Sequence, residues 1–307
     1  MALTVSEVER YCLTHDVCYS NLQERQRLVL QLGTGDAGRA LKCAQLVAKD
    51  VSAIDINMGC PLKFSTSSGA GSALLKKPET VRDILTTLRR NLPDDVHVTC
   101  KVRLLETMAQ SVDFARQVEA CGVSAFAVHG RYVSQRPREP AHWDLIKQIV
   151  ESVSCPVIAN GDVFEYEDFE RIRSETGAAA AMCGRGAMWN QSIFRKEGKL
   201  PPRDNLRALL TKCLEWENPL KNTKYLMREI LIHDKNSGLE NEEGRALNKS
   251  ESLQDVAKLF DLSESLVGAK RQIAVPPPSS GVKRPSCDMK DGETEHDERR
   301  QRTTLEC

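Results

Sequence analysis

A chain of 307 residues with 40% hydrophobic and 28% charged side chains is long enough for one large α/β domain and a smaller appendage. Its formal net charge of +0 excludes a globally basic nucleic-acid binder, so any such contact must come from a local patch. The 11 cysteines are odd in number and form no Cys-x-x-Cys pair, which points to reduced thiols in a cytosolic or otherwise reducing compartment. Met1–Arg10 is too acidic and polar for a secretory signal, and no apolar run approaches the ~20 residues of a membrane span.

In chain order, Thr4–Cys12 carries a weak helical pattern and Asn21–Arg27 reads as a charged loop. Neither reads as a strand. From Leu28 onward strands and helices alternate. Strand Leu28–Gly33 is followed by helix Asp36–Asp50, with Asp36 as N-cap and Ala40, Leu41, Ala44, Val47 and Ala48 as its apolar stripe. Strand Val51–Cys60 leads into a Gly/Ser-rich loop, Ser65–Ser72, and helix Thr80–Asn91 buries Val81, Ile84, Leu85 and Leu88. Next come strand His97–Leu104, helix Met108–Cys121, strand Ala125–Arg131 and a basic loop, Tyr132–Pro140. Helix Trp143–Val150, strand Pro156–Asp162, helix Tyr166–Thr176 and strand Ala179–Ala187 complete the pattern. Six strands spaced by helices fit a (β/α) barrel or a doubly wound sheet, and a closed barrel needs eight. Residues 203–262 change character: Leu206, Leu209, Leu210, Cys213 and Leu214 lie at helical spacing, with further helices at Tyr225–Ile230 and Ser252–Leu262. From Val275 a Pro/Ser run opens a charged, aromatic-free tail expected to be disordered.

Each strand ends in polar and small residues, the end where an α/β barrel places its chemistry. Asn57, Gly59 and Cys60 crowd the end of Ala53–Pro61. Asn160-Gly161-Asp162 and Gly184-Arg185-Gly186 suit a phosphate, with backbone N–H groups approaching at the glycines and a bidentate charge at Arg185. Lys101 on a buried strand needs a partner, either a ligand anion or electron-rich ring, or a carboxylate such as Asp55. His129 is equally a ligand contact or a satisfied core histidine. Cys60, read alone, is a nucleophile, a proton donor or a structural thiol.

Together the segments Q-L-G (Gln31–Gly33), N-M-G-C-P (Asn57–Pro61), C-K-V-R (Cys100–Arg103), V-H-G-R (Val128–Arg131), V-I-A-N-G-D (Val157–Asp162), G-R-G-A-M-W-N (Gly184–Asn190) and N-T-K-Y (Asn222–Tyr225) resemble the flavin-dependent tRNA-dihydrouridine synthases, in particular the eukaryotic type 2 members. The resemblance runs over about residues 4–262 in unbroken order. It implies a TIM-type barrel lacking its first two strands (residues 1–200), a small all-α tRNA-binding domain (201–270) and a disordered tail (271–307). It implies FMN held by Gln31, Lys101 and His129 at the ring and by Asn160, Gly161, Asp162, Gly184 and Arg185 at the phosphate. NADPH is the implied reductant and Cys60 the acid that protonates C5 of a uridine at position 20 of the tRNA D-loop, with Asn57 in the substrate site. A thiol, whose ordinary pKa is about 8.5, can deliver a proton near neutral pH. Arg131, Arg136, Arg138 and Lys224 are expected to touch tRNA, with Lys63, Lys221 and Arg228 as further cations.

Family members open with a strand bearing an Ala-Pro-Met turn, a helix and a second strand, which this sequence lacks. Exposed sheet edges are therefore expected. The double-stranded-RNA-binding domain that animal type 2 enzymes carry is also absent from the sequence. A cytoplasmic, metal-free enzyme is expected, with no membrane partner and a monomeric state. The rival readings are a non-catalytic product that still touches tRNA or protein, and a flavin barrel reducing a small molecule such as a dihydropyrimidine.

Overall fold

The computed structural model describes residues 3–4, 27–216, 218–234 and 242–262. Seven parallel strands form one sheet in the order β1 to β7: Leu3–Thr4, Val29–Gly33, Ala53–Met58, His97–Leu104, Ala125–Tyr132, Val157–Asn160 and Ala180–Met182. Strand order equals chain order throughout, whereas a doubly wound sheet reverses direction at a switch point. The winding is therefore that of a (β/α) barrel. Among the described residues no strand joins β7 to β1.

Six strands agree with those read from the sequence, and the seventh corrects that reading. Leu3–Thr4 pairs with Leu32 and Gly33 of β2, although its surroundings carry no strand pattern. Among the described residues nothing pairs with the start of β2 on this side, where Val29 is 49% exposed. The rest of the weak helical pattern over Thr4–Cys12, the loop Asn21–Arg27 up to its last residue, and the tail beyond 262 fall outside the described residues. A second correction concerns Gly184-Arg185-Gly186. These residues do not end a strand: β7 stops at Met182, and Arg185 opens a short helix.

The helices are α1 Ala37–Val47, α2 Lys63–Thr66, α3 Pro78–Asn91, α4 Met108–Ala120, α5 Trp143–Val150, α6 Tyr166–Thr176 and α7 Arg185–Trp189. Asp36 caps α1 by accepting the Arg39 N–H at 2.7 Å, and Thr107 with Gln110 closes a capping box on α4. The stripe Val81, Ile84, Leu85 and Leu88 is buried, each such side chain contributing about 1.5–3 kcal/mol. Burial alternates along β4: Val98, Cys100, Val102 and Leu104 join the core, and Thr99, Lys101 and Arg103 take the other face.

Four more helices follow: α8 Pro202–Glu215, α9 Leu220–His233, α10 Glu242–Lys249 and α11 Leu253–Leu259. They enclose a separate core of Leu206, Leu210, Met227, Ile230, Leu231, Leu247, Val256 and Phe260. Helix α10 has no counterpart in the sequence reading, because its charged sequence buries only Gly244 and Leu247. The helical unit meets the sheet unit through α9 and α7, where His233 stacks on Trp189 at 3.9 Å and Trp189 stacks on Phe164 at 5.1 Å.

Candidate active site at the strand ends

The polar strand ends converge on one cavity of about 480 Å³, inside the usual range for small-molecule sites. Gln31, Asn57, Cys60, Lys101, His129, Asn160, Gly161, Asp162, Gly184 and Arg185 all line it. The parallel register explains why. Gln31 is level with Asp55, and Asp55 with Thr99. Asn57 is level with Lys101, and Arg103 with His129. His129 is in turn level with Asn160.

Beneath the cavity Asp55 is 8% exposed. Its Oδ2 accepts from Gln31 Nε2 at 2.7 Å and its Oδ1 from Thr99 Oγ1 at 2.7 Å. Burial pushes the carboxyl up, opposed by those two hydrogen bonds and by the charge of Lys101. Gln31 Oε1 accepts from Asn57 Nδ2 at 3.1 Å, and Asn57 Oδ1 accepts the N–H groups of Gly59 and Cys60, both at 3.0 Å. The half-buried Cys60 thiol is a free cysteine on this wall. Its backbone carbonyl accepts the Ser72 N–H at 2.9 Å, so the Gly/Ser loop is folded back against it. Gly71 makes this possible: its φ is +60°, and a Cβ there would stand 2.5 Å from both the Cys60 carbonyl and Ser65 Oγ.

Lys101 shows no hydrogen bond or salt bridge to any described residue; Asp55, the carboxylate weighed as its partner, is taken by Gln31 and Thr99. Burial and neighbouring Arg103 push the Lys101 pKa down to about 8. His129 is pushed down to about 2 by burial and by Lys101, Arg103, Arg131 and Arg185. It is a neutral ring. Arg131 Nη1 lies 3.0 Å from its Nε2, and since a guanidinium only donates, the ring proton is on Nδ1.

On the far wall Asp162, itself at φ 56°, anchors an ionic cluster. Its Oδ1 accepts from Arg131 Nη2 at 2.5 Å and from Arg185 Nη2 at 2.8 Å, and its Oδ2 accepts the Ala141 N–H at 2.7 Å. Arg131 also donates to the carbonyls of Glu139 and Pro137 at 2.6 and 3.4 Å, and Arg103 donates to those of Tyr132 and Gln135. The basic rim loop is thus tied to the cavity floor through its own carbonyls. Trp143 Nε1 donates to the Gly161 carbonyl at 3.0 Å, and Asn160 Nδ2 to that of Met182 at 2.9 Å.

Three of the residues expected at the site are held in networks of their own. Arg131 is only 2% exposed with its donors engaged, so it braces the rim loop and does not offer a surface charge to RNA. Asp162 is the counter-ion of two arginines, and its carboxylate has no donor to give a phosphate. Lys224 donates to the carbonyls of Asn248 and Ser250, both at 2.8 Å, closing the C-terminal end of α10. Arg136 and Arg138 do lie exposed on the rim loop, and Lys63, Lys221 and Arg228 are exposed as well.

Five polar strand ends, those of β2 to β6, and the start of α7 thus share one cavity. The dihydrouridine synthase (Dus) family matches residues 4–246. The chain belongs to that family. It is 35% identical over 213 residues to the tRNA-dihydrouridine(20) synthase [NAD(P)+] of Schizosaccharomyces pombe, covering 68% of this chain and 44% of that one. It is 37% identical over 168 residues to a mouse tRNA-dihydrouridine(20a/20b) synthase [NAD(P)+]-like protein, covering 54% and 52%. The tRNA-dihydrouridine(16) synthase of Neisseria meningitidis is 34% identical over 212 residues, covering 65% and 63%. The chain spans about half the length of the first two of these relatives.

Within this Dus chain the cavity also gathers residues to which the sequence reading gave no role. Arg103 shares the face of Lys101, as strand alternation allows. Phe64 lines the mouth of the cavity at 65% exposure, an aromatic side chain only four residues past Cys60. Phe164 and Met188 complete the apolar lining near Arg185. Their signal in sequence is weak, since each looks like ordinary core.

Proposed function

We propose that this Dus chain reduces a uridine of the tRNA D-loop, at position 20, to 5,6-dihydrouridine, using FMN and NADPH in the cytoplasm. The carrying observation is that Cys60, Asn57, Lys101 and neutral His129 meet in one cavity of a family member.

The donor set fits FMN. Lys101 is a cation with no protein partner among the described residues, Gln31 keeps a second N–H, and a Cβ at Gly184 would meet nothing within 4 Å. Gln31, Lys101 and the Nδ1–H of His129 would face the ring, and Asn160, Gly161, Gly184 and Arg185 the phosphate end. The chemistry supplied with FMN in place is hydride addition to C6 of a flipped-out uracil, the hydride originating on NADPH. Asn57 holds the backbone at Gly59 and Cys60 and keeps one N–H for a carbonyl of the base. Cys60 Sγ holds the proton that C5 receives. Exposed Arg136 and Arg138 meet phosphates at the rim, and Phe64 offers a face for an unstacked base.

The test begins with the visible spectrum of the purified chain given FMN, where a flavin spectrum surviving gel filtration is expected. Cys60→Ala is then expected to leave flavin reduction by NADPH intact and to slow uridine reduction by about 10²–10⁴-fold. Unchanged tRNA turnover in that variant removes Cys60 from the acid role.

A further inference from the structure

We infer that Asp55 is a positioning residue that decides which atoms the cavity wall beside Cys60 presents to a ligand. One chain of hydrogen bonds runs from Thr99 through Asp55, Gln31 and Asn57 to the backbone of Gly59 and Cys60. The Asp55 Oδ2 facing Gln31 only accepts, so Gln31 turns its NH₂ downward and its Oε1 toward Asn57. Asn57 therefore turns its NH₂ to Gln31, and both lone pairs of its Oδ1 are used by the N–H groups of Gly59 and Cys60. What remains free on this wall is one N–H of Gln31 with one lone pair, and a single N–H of Asn57. Beside them stands the Lys101 ammonium, level with Asn57 across the strand pair and also a donor only.

Next to Cys60 the wall thus offers mainly donors, its one free lone pair being on Gln31. With Gln31 and Lys101 turned to the ring, the N–H left for a base is that of Asn57. The wall accepts a ligand edge carrying carbonyl oxygens and opposes one carrying an amino group. Resting on the uridine reading above, Asp55 sets a preference for the keto pyrimidine over the amino one, although it is buried beneath the cavity and does not line it. The cross-strand register makes the device rigid, because Gln31, Asp55 and Thr99 are direct neighbours on three adjacent strands.

The experiment compares Asp55→Leu with Asp55→Asn in the full chain labelled with ¹⁵N at Gln and Asn side chains. Asp55→Asn keeps an oxygen toward Gln31 and can donate to the Thr99 hydroxyl, so the side-chain NH₂ protons of Gln31 and Asn57 should exchange with solvent as in the parent. Asp55→Leu removes the acceptor, and exchange of the Gln31 NH₂ should quicken about tenfold, the worth of one lost hydrogen bond. A folded Asp55→Leu chain with unchanged exchange overturns the proposal. Should Asp55→Leu not fold, the pair Asp55→Asn with Thr99→Val decides, because residue 55 then loses the hydroxyl that keeps its amide oriented. Fast Gln31 exchange in the pair supports the proposal, and parent-like exchange overturns it. Binding of short uracil- and cytosine-containing oligonucleotides gives the second readout, with a preference for uracil of about tenfold in the parent that shrinks toward parity in Asp55→Leu. If exchange responds as expected and the base preference does not, the hydrogen-bond chain stands and the uridine reading fails at this wall.

Discussion

On the β2–β4 wall, side chains meet as neutral amides arranged around one buried carboxylate, each bond fixing the direction of the next. On the β5–β7 wall they meet as guanidiniums around another carboxylate, Asp162, with the surplus donors spent on rim-loop carbonyls. The first arrangement is directional, and among the described residues it leaves the Cys60 thiol and the Lys101 ammonium without a hydrogen-bond partner. The second is charged and branching, and it sets the shape of the loop above it. In the proposed function the first wall reads and protonates a base, and the second holds an anion and a rim.

The contrast breaks most severely at Asp162. Arg131 is almost fully buried, so Asp162→Ala leaves its charge without a counter-ion, and stability should fall by about 3–5 kcal/mol. Denaturant unfolding measures this, and a loss below about 1 kcal/mol would show that Arg131 is satisfied by carbonyls alone. No equivalent cost attaches to any one amide of the opposite wall, since an amide carries no charge.

A smaller effect is expected where the first wall carries Cys60. Gly71→Ala places a methyl group 2.5 Å from the Cys60 carbonyl at a positive φ. Gly122 supplies the control, since its φ is also positive, at +77°, but its Cβ would meet nothing within 4 Å. Both alanine variants carry the left-handed backbone penalty, and only Gly71→Ala should add about 1–3 kcal/mol of overpacking. Only that variant should also alter the rate at which iodoacetamide alkylates Cys60. Equal stability and equal alkylation in the two variants would detach the Gly/Ser loop from the placement of the thiol.

The same two walls separate what the sequence discloses from what it hides. Strand ends such as Asn57 and Cys60, Lys101 and His129 were legible because βα alternation locates the end of each strand, and the chemistry gathers there. Asp36 was legible as a cap for the same local reason. Direction and pairing were not. Arg131 and Lys224 read as surface cations because a sequence shows charge and not the carbonyls that absorb it. Asp55 read as a counter-ion for Lys101 because its true partners, Gln31 and Thr99, lie 24 and 44 residues away and become neighbours only through the strand register. Strand β1 was hidden by its length, as two residues carry no period.

The smallest and most discriminating effect concerns Lys101, the cation of the amide wall. Its pKa in the folded chain is about 8 against an ordinary 10.5, lowered first by burial and then by Arg103. Between these values the unfolded chain holds a proton that the folded chain has released, so this group's contribution to stability rises with pH across that window and is constant below it. Ligand binding has the opposite sign. Only the ammonium offers charge to an electron-rich ring or anion, so FMN affinity should be flat up to about pH 8 and then fall by up to about tenfold per pH unit. Lys101→Met should bind more weakly at neutral pH, with the fall above pH 8 removed, and should melt higher than the parent because the buried charge is gone. His129 cannot imitate this profile, since its ring stays neutral at every pH well above about 2. Titrating flavin binding by fluorescence from about pH 6 to about pH 9 separates the two. A fall below pH 7, or an unchanged profile in Lys101→Met, would move the ligand's charge partner from the amide wall to the arginines opposite.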